Sequence, residues 1–122
     1  MKKILFVIDS LSEGGAEKVL YDIVKNIDSK KFEIDVFLIN NYGIYKEKIE
    51  KLGIKVEGIY EKRNDIIKNI FYRKLKSGYI RLKRYLYCRY PLLIRKLNKR
   101  KYDIEISFLE GYSTVLIANR RN

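Results

Sequence analysis

This sequence predicts an α/β domain, a doubly wound parallel sheet of strand order 3-2-1-4, on three observations. Apolar runs of strand length alternate with amphipathic helical patterns. The first run is apolar at nearly every position, as a strand buried on both faces is. The elements follow in the order strand, helix, strand, helix, strand, a long helical block, strand, helix, which right-handed crossovers turn into a parallel sheet with helices on both faces.

"KILFVID" (Lys3–Asp9) is the first strand, and Ser10–Glu13 a polar loop. From Gly15 onward Ala16, Val19, Leu20, Ile23, Val24 and Ile27 form one helical stripe, closed by Asp28 and Ser29. "FEIDVFLIN" (Phe32–Asn40) is the second strand and "NNYG" a loop. "IYKEKIEKLG" is a short helix with Gly53 as its C-terminal cap. "IKVEGIY" (Ile54–Tyr60) is the third strand, and the segment from Lys62 to Lys101 is helical for most of its length. "YDIEISFLE" (Tyr102–Glu110) is the fourth strand, and "GYSTVLIAN" (Gly111–Asn119) opens a last helix with Ser113 or Thr114 in its first turn. In this order the sheet reverses direction between strands 1 and 4. Ligands of such sheets bind at the carboxyl ends of the strands beside that reversal, where the loops Asp9–Gly15 and Leu109–Ser113 meet.

The 122 residues form one small domain, and the 47% hydrophobic content is that of a chain with a core. Cys88 is the only cysteine, so there is no disulfide framework and a reducing compartment is expected. The absence of histidine removes the commonest general base and the commonest metal ligand. A zinc site would rest on carboxylates and one thiol, so no metal is expected. The N-terminal apolar run meets Asp9 too soon for a signal peptide. No run approaches the roughly 20 apolar residues of a membrane span. A complete doubly wound domain carries further strands, so the chain is expected to be a fragment, a truncated gene product or one half of a split protein, and its unpaired edges predict self-association.

The net charge of +12 is concentrated. Residues 62–101 carry 15 of the 27 Lys and Arg but one of the 15 acids, a net +14, which leaves −2 for the remainder. Phosphates of lipid, nucleotide or nucleic acid are the expected partners of such a block. Within it Tyr79, Leu82, Leu86, Tyr90, Leu93 and Leu97 recur at helical spacing, with a kink expected at Pro91. Arg81, Lys83, Arg84, Arg89, Arg95, Lys96 and Lys99 are the candidate membrane-docking cations. A stripe turned to the core with a solvated cationic back has the same spacing, although solvated faces usually mix signs. The interleaved tyrosines would also stack on bases, but no nucleic-acid motif accompanies them.

Gly14 and Gly15 stand between the first strand and a helix N-terminus. The spacing is neither G-x-G-x-x-G nor that of a P-loop. Bare backbone beside unpaired helical amides admits an anion or a sugar ring; a tight strand-to-helix turn would use the same dipeptide. Glu110, before Gly111, can accept a hydrogen bond from a substrate hydroxyl, act as a base, or cap the next helix. Glu17, in the first helical turn, compensates the dipole.

"ILFVIDSLSEGGAEKVLYDIV" resembles the opening of family 4 glycosyltransferases, in which a strand leads through a loop ending Gly-Gly-Ala-Glu into an apolar helix. "YDIEISFLEGYSTVLIAN" is similar to the fourth strand and following helix of the same enzymes. The resemblance implies a GT-B architecture of two Rossmann-like domains, of which this chain would be the incomplete N-terminal, acceptor-binding half. It implies a retaining transfer from a nucleotide-sugar to a lipid-linked or polysaccharide acceptor, with no bound metal or other cofactor. It implies that Gly14 and Gly15 contact the donor's phosphates or sugar and that Glu110 and Gly111 line the acceptor side. Family members often dock on membranes through basic N-domain helices, which fits the basic block and places the chain in the cytoplasm at the inner membrane face. The paired-glutamate donor motif is missing, so the isolated chain is expected to be inactive without a C-terminal donor-binding domain or subunit. The competing readings are a nucleic-acid-binding module and a non-catalytic interaction domain.

Overall fold

The computed structural model describes residues 1–61, 70–89 and 99–121. Its elements are β1 (Lys2–Ile8), α1 (Gly15–Asn26), β2 (Phe32–Asn41), α2 (Ile44–Glu50), β3 (Lys55–Glu61), α3 (Ile70–Arg89), β4 (Ile104–Ser107) and α4 (Tyr112–Arg121). The four strands pair in the order β3-β2-β1-β4, every pair parallel, a Rossmann-like arrangement. The topology read from the alternation of runs is the one found.

The central strands are buried without interruption, from Ile4 to Ile8 and from Ile34 to Ile39, because helices cover both of their faces. Alternate residues divide between two layers. Ile4, Phe6, Ile8, Ile34, Val36 and Leu38 meet Leu20 and Val24 of α1 and Ile49 of α2. Leu5, Val7, Phe37 and Ile39 meet Leu116 of α4 on the other face. α3 packs against α4.

Several sequence-based boundaries move. The fourth strand spans four residues rather than Tyr102–Glu110, because among the described residues β1 is its one partner and the paired stretch of β1 is Ile4–Val7. Beyond it the Phe108 amide still donates to the Val7 carbonyl (2.9 Å), and the chain then turns. α2 ends at Glu50, followed by a turn through Gly53. The loop Ser10–Glu13 is not polar throughout, since Leu11 is fully buried in the core of the α1 face. The α1 stripe divides: Leu20 and Val24 are buried, whereas Val19 and Ile23 are exposed at one margin.

The second face carries charge as well as apolar side chains. Asp35 and Glu105 both lie opposite Leu5 of β1, one from each neighbouring strand. Asp35 is buried and accepts from the Tyr102 hydroxyl (2.6 Å) and the Arg100 guanidinium (3.0 Å). The Asp35 carboxylate, by charge and then by hydrogen bonding, raises the already high pKa of Arg100. The Arg120 guanidinium donates to Glu105 (2.7 Å) and to the Arg100 carbonyl (2.6 Å), and lies over the Tyr102 ring. This network joins β2, β4, α4 and the segment that enters β4.

Candidate functional site

The carboxyl edge of the sheet is shaped by two loops held against each other. After β1 the Asp9 carbonyl accepts from the Asn40 amide (2.7 Å). The Leu11 amide donates to the Tyr42 carbonyl, and the Leu11 carbonyl accepts from the Tyr45 amide, both at 3.0 Å. Gly43 permits this approach: its φ is +131°, and a β-carbon there would fall on the Leu11 carbonyl group and the Ser12 amide. Gly43 is a site-building residue that the sequence reading passed over within "NNYG". Its one signal was a glycine directly before a helix.

The two glycines of the candidate phosphate loop have different surroundings. Gly14 is extended (φ −162°, ψ 165°), a conformation open to any residue, and precedes the first turn of α1. The space its missing side chain leaves is occupied by the carboxylate of Glu17. At Gly14 the protein thus supplies its own anion to the positive end of the helix. At Gly15 the corresponding space is open.

β4 lies beside β1, so the loop carrying Glu110 and Gly111 leaves the same edge of the sheet as the diglycine loop. Glu110 stands three residues beyond the end of β4, exposed, rather than at the strand terminus. Gly111 has φ +114° with open space around it. The turn between them and the strand is fixed by a hydroxyl cluster. Ser113 and Thr114 donate to the Leu109 carbonyl (2.7 and 3.2 Å), and the Ser107 hydroxyl lies 3.0 Å from each of theirs. Ser113 is fully buried.

On the other side of the β1 loop a cleft of about 540 Å³ opens towards α2. Ser12 and Glu13 line one part of it, Tyr42 and Gly43 another, and Glu47, Lys48 and Lys51 the part formed by α2 and its following turn. None of Gly14, Gly15, Glu110 and Gly111 lines it.

The basic helix turns its apolar stripe outward. Leu75, Tyr79, Leu82 and Leu86 are exposed, the first three by 59% or more. Among the described side chains of the helix Lys76, Ile80 and Lys83, at spacings of four and three, are half-buried. Among the described residues this part of the stripe does not face the core. Arg81 and Lys99 are exposed, and the Lys83 ammonium lies 6.0 Å from the Tyr79 ring centre. Arg84 and Arg89 belong to α3 but their side chains lie outside the description, as do Arg95, Lys96 and the expected kink at Pro91 altogether.

Among the described residues no helix is long and apolar enough to cross a membrane, and no three His, Cys, Asp or Glu side chains gather as metal ligands. No family model, curated protein or solved structure matches the chain.

Proposed function

We propose that this chain is the acceptor-binding, membrane-surface-docking half of a retaining glycosyltransferase. The enzyme would move a sugar from a nucleotide-sugar to a lipid-linked or polysaccharide acceptor at the cytoplasmic face of a membrane. The observation that carries the docking part is the exposed ridge Leu75, Tyr79, Leu82 and Leu86 inside the +14 segment. At 100° per residue, Lys74 and Arg81 flank that ridge on one side and Lys83 on the other. An apolar ridge between cations suits the boundary of an anionic bilayer. Each cation near such a surface contributes about 1 kcal/mol, and inserted apolar side chains add to this.

The transfer part is supported by the diglycine motif and by its place. Gly15 is open at the N-terminus of α1, beside the sheet's reversal between β1 and β4, with Glu110 and Gly111 on the neighbouring loop. In this reading the donor's diphosphate displaces the Glu17 carboxylate, because two anions repel at one helix end. A donor-binding domain or subunit supplies the rest of the cleft.

Co-sedimentation with vesicles tests the docking. Phosphatidylglycerol vesicles should retain the chain at low salt, phosphatidylcholine vesicles should not, and high salt should release it. Arg81→Glu with Lys83→Glu should weaken retention by at least about tenfold on the value per charge. Retention unaffected by the two reversals would remove the ridge from the mechanism. Sugar release from a nucleotide-sugar by the isolated chain would contradict the assignment as one half of an enzyme.

A further inference from the structure

The cleft beside α2 lies outside the basic block and is lined by charges of both signs. In a chain of net charge +12 it is lined by two carboxylates, Glu13 and Glu47, and two ammoniums, Lys48 and Lys51. Opposite charges sharing so small a space would be expected to pair, yet no ion pair is formed by Glu13, Glu47 or Lys51 among the described residues. Lys48 lies over the Tyr45 ring at 4.8 Å. All four charged residues are exposed. The cleft thus holds separated acceptors and donors around a space that is charge-neutral in sum.

We propose that this cleft binds a neutral oligosaccharide. A phosphate or nucleotide would meet two carboxylates as well as two lysines, and a metal cation would meet the lysines. A ligand with many hydroxyls and no charge uses both sets. Its hydroxyls donate hydrogen bonds to the carboxylates of Glu13 and Glu47, and its oxygens accept from Lys48, Lys51 and the Ser12 hydroxyl. The volume of about 540 Å³ is within the range of small-ligand sites and has room for two or three sugar rings. The rim is pre-formed, because the reciprocal Leu11–Tyr42 and Tyr45–Leu11 bonds and the close approach at Gly43 hold the two loops together before any ligand arrives. For its place in a transfer reaction, as the hold on a neutral acceptor glycan, the assignment rests on the function proposed above; the binding itself does not.

A glycan array probed with the full chain, followed by calorimetry on the best neutral and best acidic oligosaccharide, tests it. Neutral glycans should be retained, and Glu13→Ala with Glu47→Ala should weaken their binding by about tenfold or more, the loss expected when hydrogen bonds to charged groups are removed. The thermal midpoint should fall only slightly, since both residues are exposed and Glu47 contributes only a helix-end charge to the first turn of α2. Lys51→Ala should weaken binding in the same direction, and Arg81→Glu with Lys83→Glu should leave it intact. No retained glycan, retention of acidic glycans alone, or affinity indifferent to the two alanines overturns the proposal. Vesicle docking has its own readout, so glycan binding without docking would count against the membrane role and leave this cleft assigned.

Discussion

The two faces of the sheet bury their strands by different chemistry. Under α1 and α2 the buried layer is apolar, running from Ile4, Phe6 and Ile8 through Leu11, Leu20 and Ile49. On the α4 face a smaller apolar group, Leu5, Val7, Phe37, Ile39 and Leu116, shares the surface with Asp35 and Glu105 and their arginines. Apolar packing is non-directional and tolerates exchange at constant volume. Charged hydrogen bonds demand particular partners, and a buried carboxylate that loses its partner is costly. The first face therefore supplies most of the core, whereas the second fixes where Arg100, Tyr102 and α4 sit. That matters for function, because α4 carries Ser113 and Thr114, which hold the Glu110 loop, and α4 also supports α3.

The largest expected loss is on the charged face. The side chains of Arg120 and Glu105 are 8% and 9% exposed, and among the described residues Glu105 Oε2 is buried without a hydrogen-bond partner. Arg120→Ala leaves the carboxylate with no cation, and urea unfolding should show a loss of about 3–5 kcal/mol. The double variant Glu105→Leu with Arg120→Met should recover most of it. A double variant as unstable as the single one would mean that the network contributes more than charge compensation.

Leu20→Ala probes the apolar face, where the side chain is fully buried. It should cost about 2–5 kcal/mol, depending on how far the layer closes over the cavity. Leu20→Met should cost below about 1.5 kcal/mol. Should Leu20→Met prove as damaging as Leu20→Ala, the contrast between a tolerant and a directional face would fail. A smaller effect is expected for Tyr102→Phe, which removes one donor from Asp35 while Arg100 remains. About 1.5–3 kcal/mol, read from the same unfolding curves, fits a hydrogen bond to a charged group.

The contrast between the faces also explains what was legible beforehand. Continuous apolar runs announce doubly buried strands, and alternation of runs with helical stripes announces parallel order, so strand order 3-2-1-4 could be read from local pattern. Asp35 within "FEIDVFLIN" and Glu105 within "YDIEIS" were visible as acids inside strands. Their partners were not, because Arg100 lies 65 residues from Asp35 and Arg120 lies 15 from Glu105. The same limit applies at the candidate site. The diglycine motif is a local signal, but Glu17 folding back over Gly14, and Gly43 meeting Leu11 across two loops, depend on three-dimensional approach. Periodicity revealed the α3 stripe without saying what would cover it.

That stripe supplies the smallest expected effect on stability and the clearest separation of stability from function. Leu82 is 59% exposed on the outward side of α3, which rests on α4. A polar replacement there removes little buried area, so Leu82→Gln should shift unfolding by no more than about 0.5 kcal/mol, the usual range for surface positions. If the ridge enters a bilayer boundary, the same change replaces an inserted apolar side chain with one that carries an amide. Retention on phosphatidylglycerol vesicles should then fall by roughly tenfold, as losing about 1.5 kcal/mol of apolar burial implies. Ile80, half-buried three residues after Ser77, is the internal control. Ile80→Gln should lower stability, through the α3 face that is not exposed, and leave vesicle binding of the folded fraction unchanged. Were Leu82→Gln to destabilise the fold and Ile80→Gln to abolish docking, the helix would be turned the other way, and the exposed ridge would belong to the core of a larger assembly.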